Sequence, residues 1–272
     1  MSVAKSTMPA GACDCHIHVY EKGFPLAPSA TFVPPPAPAD AYREVQRALG
    51  FSRVIVVQPT GYGFDNDCTL AAIERLGEGA RGIAVVPPDA SDAELQRLHQ
   101  AGVRGVRYMM LPGGLLQWDS LSGMAARIAP LGWNINLQLD GRTLPQHEAM
   151  LARLPAKLVI DHIGKFLGTV TTRSDAFAAL CRLLDGPRCW IKLSAPYESS
   201  RVGPPSYDDI APLVRKLAAR YPERSLWASN WPHPNVKPTP DDTGMLDWMA
   251  RCVDSEATLR KILADNPAEL YF

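Results

Sequence analysis

Short apolar runs alternate with amphipathic stretches along this chain. The runs cover residues 11–18, 53–58, 82–86, 103–108, 134–139, 157–162, 189–194 and 226–230. Several, such as Val54-Ile55-Val56-Val57, are continuous and β-branched, as expected of strands buried on both faces. Between them apolar residues recur at helical spacing. Tyr42, Val45, Ala48 and Leu49 precede Gly50, and Leu70, Ile73 and Leu76 precede Gly77. Leu95 and Leu98 precede Gly102, with Ser91 and Glu94 ahead of them at capping-box spacing. Met124, Ile128 and Leu131 run to Gly132. Phe177, Leu180, Cys181 and Leu184 run to Gly186, and Ile210, Leu213, Val214 and Leu217 end before Pro222. The tail carries Leu259, Ile262 and Leu263.

Eight strand signals alternating with helical ones predict an α/β fold, a (β/α)8 TIM barrel forming a single domain over residues 1–272. The alternative is a doubly wound open sheet, which more often carries a glycine-rich turn after its first strand. Here that strand ends in His16-Ile17-His18, and no GxGxxG follows any strand. The longest irregular stretch, about residues 19–39, comes directly after the first strand, where a barrel carries active-site loops.

Composition narrows the function classes. Lys and Arg total 28 and Asp and Glu total 28, so the formal net charge is zero. That speaks against a nucleic-acid or anionic-membrane partner held by bulk electrostatics. No apolar run approaches the ~18 residues of a membrane span. The N-terminus, MSVAKSTMPAG, has no apolar segment after its lysine, so no signal peptide is expected. The six cysteines form no CxxC pair, which predicts free thiols in a reducing, cytoplasmic setting. The 25 prolines punctuate loops. A homo-oligomer is left open.

In a barrel, polar residues at the C-terminal ends of strands converge on one mouth. They are His16 and His18 from strand 1, Gln58 and Thr60 from strand 2, Arg104 and Arg107 from strand 4, and Gln138 from strand 5. Strand 6 adds His162 and then Lys165. Strand 7 adds Ser194 and Tyr197, with Arg201 in the loop, and strand 8 adds Asn230 and His233. His16 and His18 are two apart on a strand and share a face. A hydrogen-bonded core pair is one reading of them. A site facing the barrel interior is the reading favoured by their position at the end of the first strand. Gln138 is open to a packing role, and Arg104 and Lys165 to that of surface charges.

His-x-His on the first strand resembles the amidohydrolase superfamily. Metal-dependent members add Lys or Glu on strand 4, His on strands 5 and 6 and Asp on strand 8. This chain matches at His162 but offers Arg104 and Arg107, Gln138 and Asn230 at the others. A guanidinium stays protonated and opposes a divalent cation, so no metal and no cofactor are expected. Four segments sharpen the resemblance to the metal-independent lactonase branch. They are Asp161-His162-Ile163-Gly164-Lys165, Lys192-Leu193-Ser194-Ala195-Pro196-Tyr197, Asn230-Trp231-Pro232-His233-Pro234 and Asn266-Pro267. The similarity runs from Asp14 to Tyr271.

That resemblance implies a small carboxylated lactone as substrate. His16, His18 and His162 are then the groups that polarise the carbonyl, as imidazolium donors. Arg107 and Arg201 bind carboxylates, with Arg104, Thr60, Lys165, Tyr197, Gln138 and His233 as further binding residues. The branch's hydrolases carry Asp as general base where this chain has Asn230, and an amide cannot take that role. His233 is a candidate substitute. Attack by the substrate's own hydroxyl would need no activated water, and effective molarities for such attack reach about 10⁵–10⁸ M. The expectation is an isomerase converting a 1,5-lactone of an aldaric acid into the 1,4-lactone. Hydrolysis of a carboxylated lactone, such as a pyrone dicarboxylate, is the alternative.

Overall fold

The computed structural model describes residues 8–272. The expectation about a signal peptide falls mostly on residues outside that range. The described chain builds β1 (Cys13–Ile17), α1 (Ala39–Leu49), β2 (Arg53–Val57), α2 (Asp67–Leu76), β3 (Ala80–Ala84) and α3 (Asp92–Gln100). It continues through β4 (Val103–Met109), α4 (Trp118–Ile128), β5 (Asn134–Gln138), α5 (Leu144–Leu151), β6 (Lys157–Ile160) and α6 (Asp175–Asp185). Last come β7 (Cys189–Lys192), α7 (Ala211–Arg220), β8 (Ser225–Leu226), α8 (Asp242–Arg251), α9 (Glu256–Arg260) and α10 (Asn266–Tyr271). The strands lie in sequence order β1 to β8, each parallel to the next. This is the expected (β/α)8 barrel.

The seam between β8 and β1 is irregular. β8 is a two-residue strand, and the chain beyond it stays beside β1 through single backbone bonds. Cys15 N donates to Trp227 O at 3.1 Å, Asn230 N to His16 O at 3.0 Å and His18 N to Trp231 O at 2.8 Å. A buried carboxylate holds this seam. Asp14 Oδ1 accepts from Ser229 N at 2.9 Å, and Oδ2 accepts from the Tyr42 hydroxyl on α1 at 3.1 Å. Burial raises the Asp14 carboxyl to about 6, although the bonds from Ser229 lower it.

β1 also carries a bulge. Asp14 pairs with Val54 but Ile17 pairs with Val56, so β1 has one residue more than β2 over that span. Cys13 and Cys15 therefore pack with Val57, Val159 and Trp190, whereas Ile17 packs with Tyr42 and Val54. The extra residue lets Cys15 and the His16/His18 pair all face inward.

Local chemistry explains most element boundaries. Ser91 Oγ accepts from Glu94 N at 3.1 Å, the expected cap of α3. Gly50, in the left-handed region at φ 77°, closes α1. Gly105 has no room for a side chain: a Cβ there would lie 2.6 Å from the Asn134 carbonyl of β5. Two helices had no clear signal in the apolar spacing. α5 buries only Leu144 and Leu151, and α8 begins with polar residues and Gly244 before burying Met245, Leu246, Trp248 and Met249. All six cysteines are free and buried. No helix among the described residues is long and apolar enough to cross a membrane.

Candidate active site

The C-terminal ends of the strands enclose a cavity of about 200 Å³. His18, Thr60, Arg107, Gln138, His162, Lys165, Tyr197, Asn230 and His233 all line it. Tyr20, Thr31 and Phe32, from the long segment after β1, form one wall. His16 lies just beneath, fully buried, with its Nε2 3.3 Å from His18 Nε2.

Two expected residues lie elsewhere. Arg104 sits at the start of β4, at the opposite end of the barrel, with its Nη1 on the His99 and Val103 carbonyls. Arg201 is exposed on the loop after β7, its backbone N–H on Asp209, and is not part of the cavity wall. Gln58 and Ser194 support the wall from behind. Gln58 ties the loop after β2 through the Gly63 and Asp65 carbonyls, and Ser194 Oγ is 3.0 Å from His162 Nδ1.

The protonation pattern of the two strand-1 histidines follows from their partners. A carbonyl can only accept, so His18 Nδ1 carries a proton and donates to Val57 O at 2.7 Å. In the neutral ring Nε2 is then a lone pair, which accepts from His16 Nε2–H. His16 Nδ1 in turn accepts from Lys192 Nζ at 3.1 Å. Burial, followed by the Lys192 charge, holds His16 well below the ordinary histidine range. Burial and then Arg107 do the same to His18, and burial lowers His162 to about 4. All three are therefore neutral imidazoles near pH 7. This corrects the expectation of imidazolium donors: desolvation inside the barrel outweighs the pull of Asp161.

The cavity's buried cation is Arg107, which is 4% exposed. Its Nη1 donates to Gln58 O at 2.9 Å and its Nη2 to Gln138 Oε1 at 2.8 Å. Its Nε is buried without a hydrogen-bond partner among the described residues. Gln138 therefore both lines the cavity and orients the guanidinium.

A chain of four side chains forms another part of the wall. His233 Nε2 donates to Asp242 Oδ1 at 2.9 Å, because a carboxylate only accepts. A tyrosine hydroxyl can donate, and Nδ1 stands as its acceptor, 2.8 Å from the Tyr197 hydroxyl. Asn230 Nδ2 donates to the same hydroxyl at 2.8 Å. Burial, then the nearby Glu198 charge, pushes the Tyr197 phenol well above its ordinary range. Backbone strain accompanies this wall, since His162, Ile163, Asn230 and His233 all have φ between 53° and 66°.

Some functional groups escaped the sequence reading. Glu198, the only carboxylate lining the cavity among the described residues, is paired with Lys165 at 2.7 Å. Asp242 lies at the start of a helix with no clear apolar pattern. Lys192 is the charged residue of an otherwise apolar strand, Cys189-Trp190-Ile191-Lys192, which was the available signal.

His16, Asp161 and His162 offer ligand atoms all within 4.8 Å of one another, a group of the size that holds a metal ion. Lys192 Nζ stands 3.0 Å from Asp161 Oδ1 and 3.1 Å from His16 Nδ1. Its ammonium engages two of the three donor residues and repels a dication. These residues do not fit a resident divalent ion.

Comparison with known proteins agrees with the geometry. The family model described as amidohydrolase matches residues 13–272. The chain is 36% identical to 2-pyrone-4,6-dicarboxylate hydrolase of Comamonas testosteroni, over 97% of this chain and 91% of that protein. It is 35% identical to D-galactarolactone isomerase of Agrobacterium fabrum, again over 97% and 91%. A crystal structure of an Agrobacterium tumefaciens protein in its apo form superposes with a TM-score of 0.92 at 35% identity, covering 97% of this chain and 96% of the other.

Proposed function

We propose that this chain, which belongs to the amidohydrolase family, is an enzyme that rearranges lactones carrying carboxylate groups. The favoured reaction moves an aldaric acid lactone from the 1,5 to the 1,4 form. The observation that carries this reading is the composition of the cavity wall. It has the neutral imidazoles of His18 and His162, one desolvated guanidinium and an amide at Asn230, and its only carboxylate among the described residues, Glu198, is paired with Lys165. Without a free carboxylate the base on this wall is the Tyr197–His233–Asp242 relay, which a hydroxyl held on the substrate meets at a far higher effective concentration than water does.

In this scheme the Arg107 guanidinium, with N–H bonds beyond the two held by Gln58 and Gln138, draws a substrate carboxylate, with Lys165 and Thr60 at the rim. Water exclusion makes that charge-assisted contact strong. His162, supported by Ser194, donates to the lactone oxygen as charge develops on it. A substrate hydroxyl attacks the carbonyl and gives its proton to Tyr197 Oη, while the Tyr197 proton passes to His233 Nδ1. Asp242 stabilises the resulting imidazolium, as a carboxylate does for a histidine base in other acyl transfers. Collapse of the tetrahedral intermediate breaks the ring C–O bond. The leaving oxygen takes the proton back through Tyr197, so protons balance and water is not consumed. The raised phenol fits a hydroxyl that passes protons without persisting as phenolate. Arg104 and Arg201 have no part in the scheme.

One observation favours hydrolysis as the second reading: Glu198 would become a base for water on release from Lys165. NMR of purified protein with a panel of aldarolactones and pyrone dicarboxylates separates the two. The proposal expects 1,4-lactone to build up ahead of ring-opened acid. Ring-opened dicarboxylate as the first product would replace it with hydrolysis, and inertness toward the whole panel would reject both.

A further inference from the structure

We propose that Lys192 is a built-in cation, its ammonium standing where a divalent ion would otherwise bind among His16, Asp161 and His162, and that it sets the hydrogen-bond direction of the strand-1 histidines.

Lys192 ends β7, fully buried in the barrel interior. His16 on β1 and Asn136 on β5 meet it there. All three come from odd-numbered strands, which contribute together to one layer of a barrel core. Such layers are normally filled by branched apolar residues, so an ammonium needs local compensation. Three side chains supply it. Nζ donates to Asn136 Oδ1 at 2.6 Å and to His16 Nδ1 at 3.1 Å, and it pairs with Asp161 Oδ1 at 3.0 Å. Two hydrogen bonds and one ion pair thus hold it, and Asp161 Oδ1 also stands 3.4 Å from His16 Nδ1. Asp161 Oδ1 makes no well-directed hydrogen bond, so charge is what holds it there. Its other oxygen accepts from Asn136 Nδ2 at 2.7 Å. The ammonium, the amide and the carboxylate thus form a closed ring of contacts.

This arrangement explains the direction of the chain toward the cavity. Because Lys192 donates to Nδ1, His16 must keep its proton on Nε2, and that proton points at His18. A divalent ion on the same lone pair would impose the same tautomer, since a metal ligand nitrogen cannot carry a proton. Lysine supplies both the charge and the polarity of the chain. It is covalently attached, so neither chelation nor metal supply affects it. Once it is removed, two imidazoles and a carboxylate are left buried around a cationic vacancy, and imidazole and carboxylate are common zinc ligands.

The test uses the full-length protein, zinc alone as the probe, and the variants Lys192→Ala and Lys192→Met. Folding is checked by circular dichroism, and zinc binding by calorimetry and elemental analysis. Wild type should take up no stoichiometric zinc. Lys192→Ala should bind about one equivalent, at least about 100-fold more tightly than wild type, and adding Asp161→Asn should abolish that gain. Lys192→Met, whose longer side chain occupies the vacancy, should bind less than Lys192→Ala. In wild type, long-range ¹H–¹⁵N spectra of the histidines should show His16 protonated on Nε2 and His18 on Nδ1. Folded variants that gain no zinc affinity would overturn the proposal. So would stoichiometric zinc in wild type, or His16 protonated on Nδ1. The wild-type measurements decide the matter even if neither variant folds.

Discussion

Arg107 and Asn230 show how much chemistry a single side chain carries here. Arg107 is desolvated and oriented by Gln58 and Gln138, which engage only two of its five N–H bonds. Arg107→Met should therefore lower kcat/KM by roughly 10–150-fold, the worth of a charge-assisted contact of about 1.5–3 kcal/mol. An unchanged kcat/KM in steady-state assays would remove Arg107 from substrate binding. Asn230 donates to Tyr197, and Asn230→Asp is nearly isosteric but can only accept. The variant should gain lactone hydrolysis at the expense of isomerisation, because an ionised carboxylate near bound water acts as a base worth about 10²–10⁴-fold. Product ratios by NMR in wild type and variant decide this. Equal hydrolysis in both would show that Asn230 does not withhold the base. Tyr197→Phe should lower kcat by a similar factor of about 10²–10⁴ with little change in KM, because it cuts the relay without removing a charge. A kcat close to wild type would exclude the phenol from proton transfer.

Among the elements, β1 and the short β8 do the positioning. Eight strands were legible in the sequence because buried parallel strands are apolar nearly throughout. The bulge in β1 was not legible, since an extra residue leaves no mark in hydrophobicity and appears only when register with β2 is known. Nor was the weakness of β8, where Asp14 and single backbone bonds replace a full ladder. This seam has its own pH signature. Asp14 is raised to about 6 from an ordinary 3.8, so its contribution to stability is fully present below about pH 4 and is lost as pH rises through 6. The Tyr42 hydroxyl offsets that loss by donating to the ionised carboxylate. Tyr42→Phe should therefore cost about 1–3 kcal/mol at pH 8 and less at pH 5, measured by urea denaturation. A cost independent of pH would show that the bond is not made to a titrating carboxylate.

At the scale of the whole molecule, enclosure in the barrel keeps His16, His18 and His162 neutral. His162 is lowered from 6.5 to about 4, so the unfolded chain binds a proton between those values that the folded chain refuses. Stability from this residue is complete above about pH 6.5 and falls as pH drops toward 4. At pH 5 the loss is about 2 kcal/mol relative to pH 7.5. His162→Gln should remove that part of the acid sensitivity, and urea midpoints at the two pH values would show it. An unchanged pH dependence would mean that the imidazole titrates normally. By itself the sequence determined the barrel, the mouth as the place for chemistry, and nine of the residues lining the cavity. These follow from local rules: strand and helix periodicity, and the common direction of parallel strand ends. Only the tertiary structure decided the charge states and the partners. It left Arg104 at the far end and Arg201 outside the wall, joined Tyr197 to His233 and Asp242, and put Lys192 against His16 and Asp161. Those outcomes depend on burial and on contacts between residues far apart in the chain. Desolvation, which turns a histidine from cation to neutral donor, is a property of the closed barrel and of no segment within it.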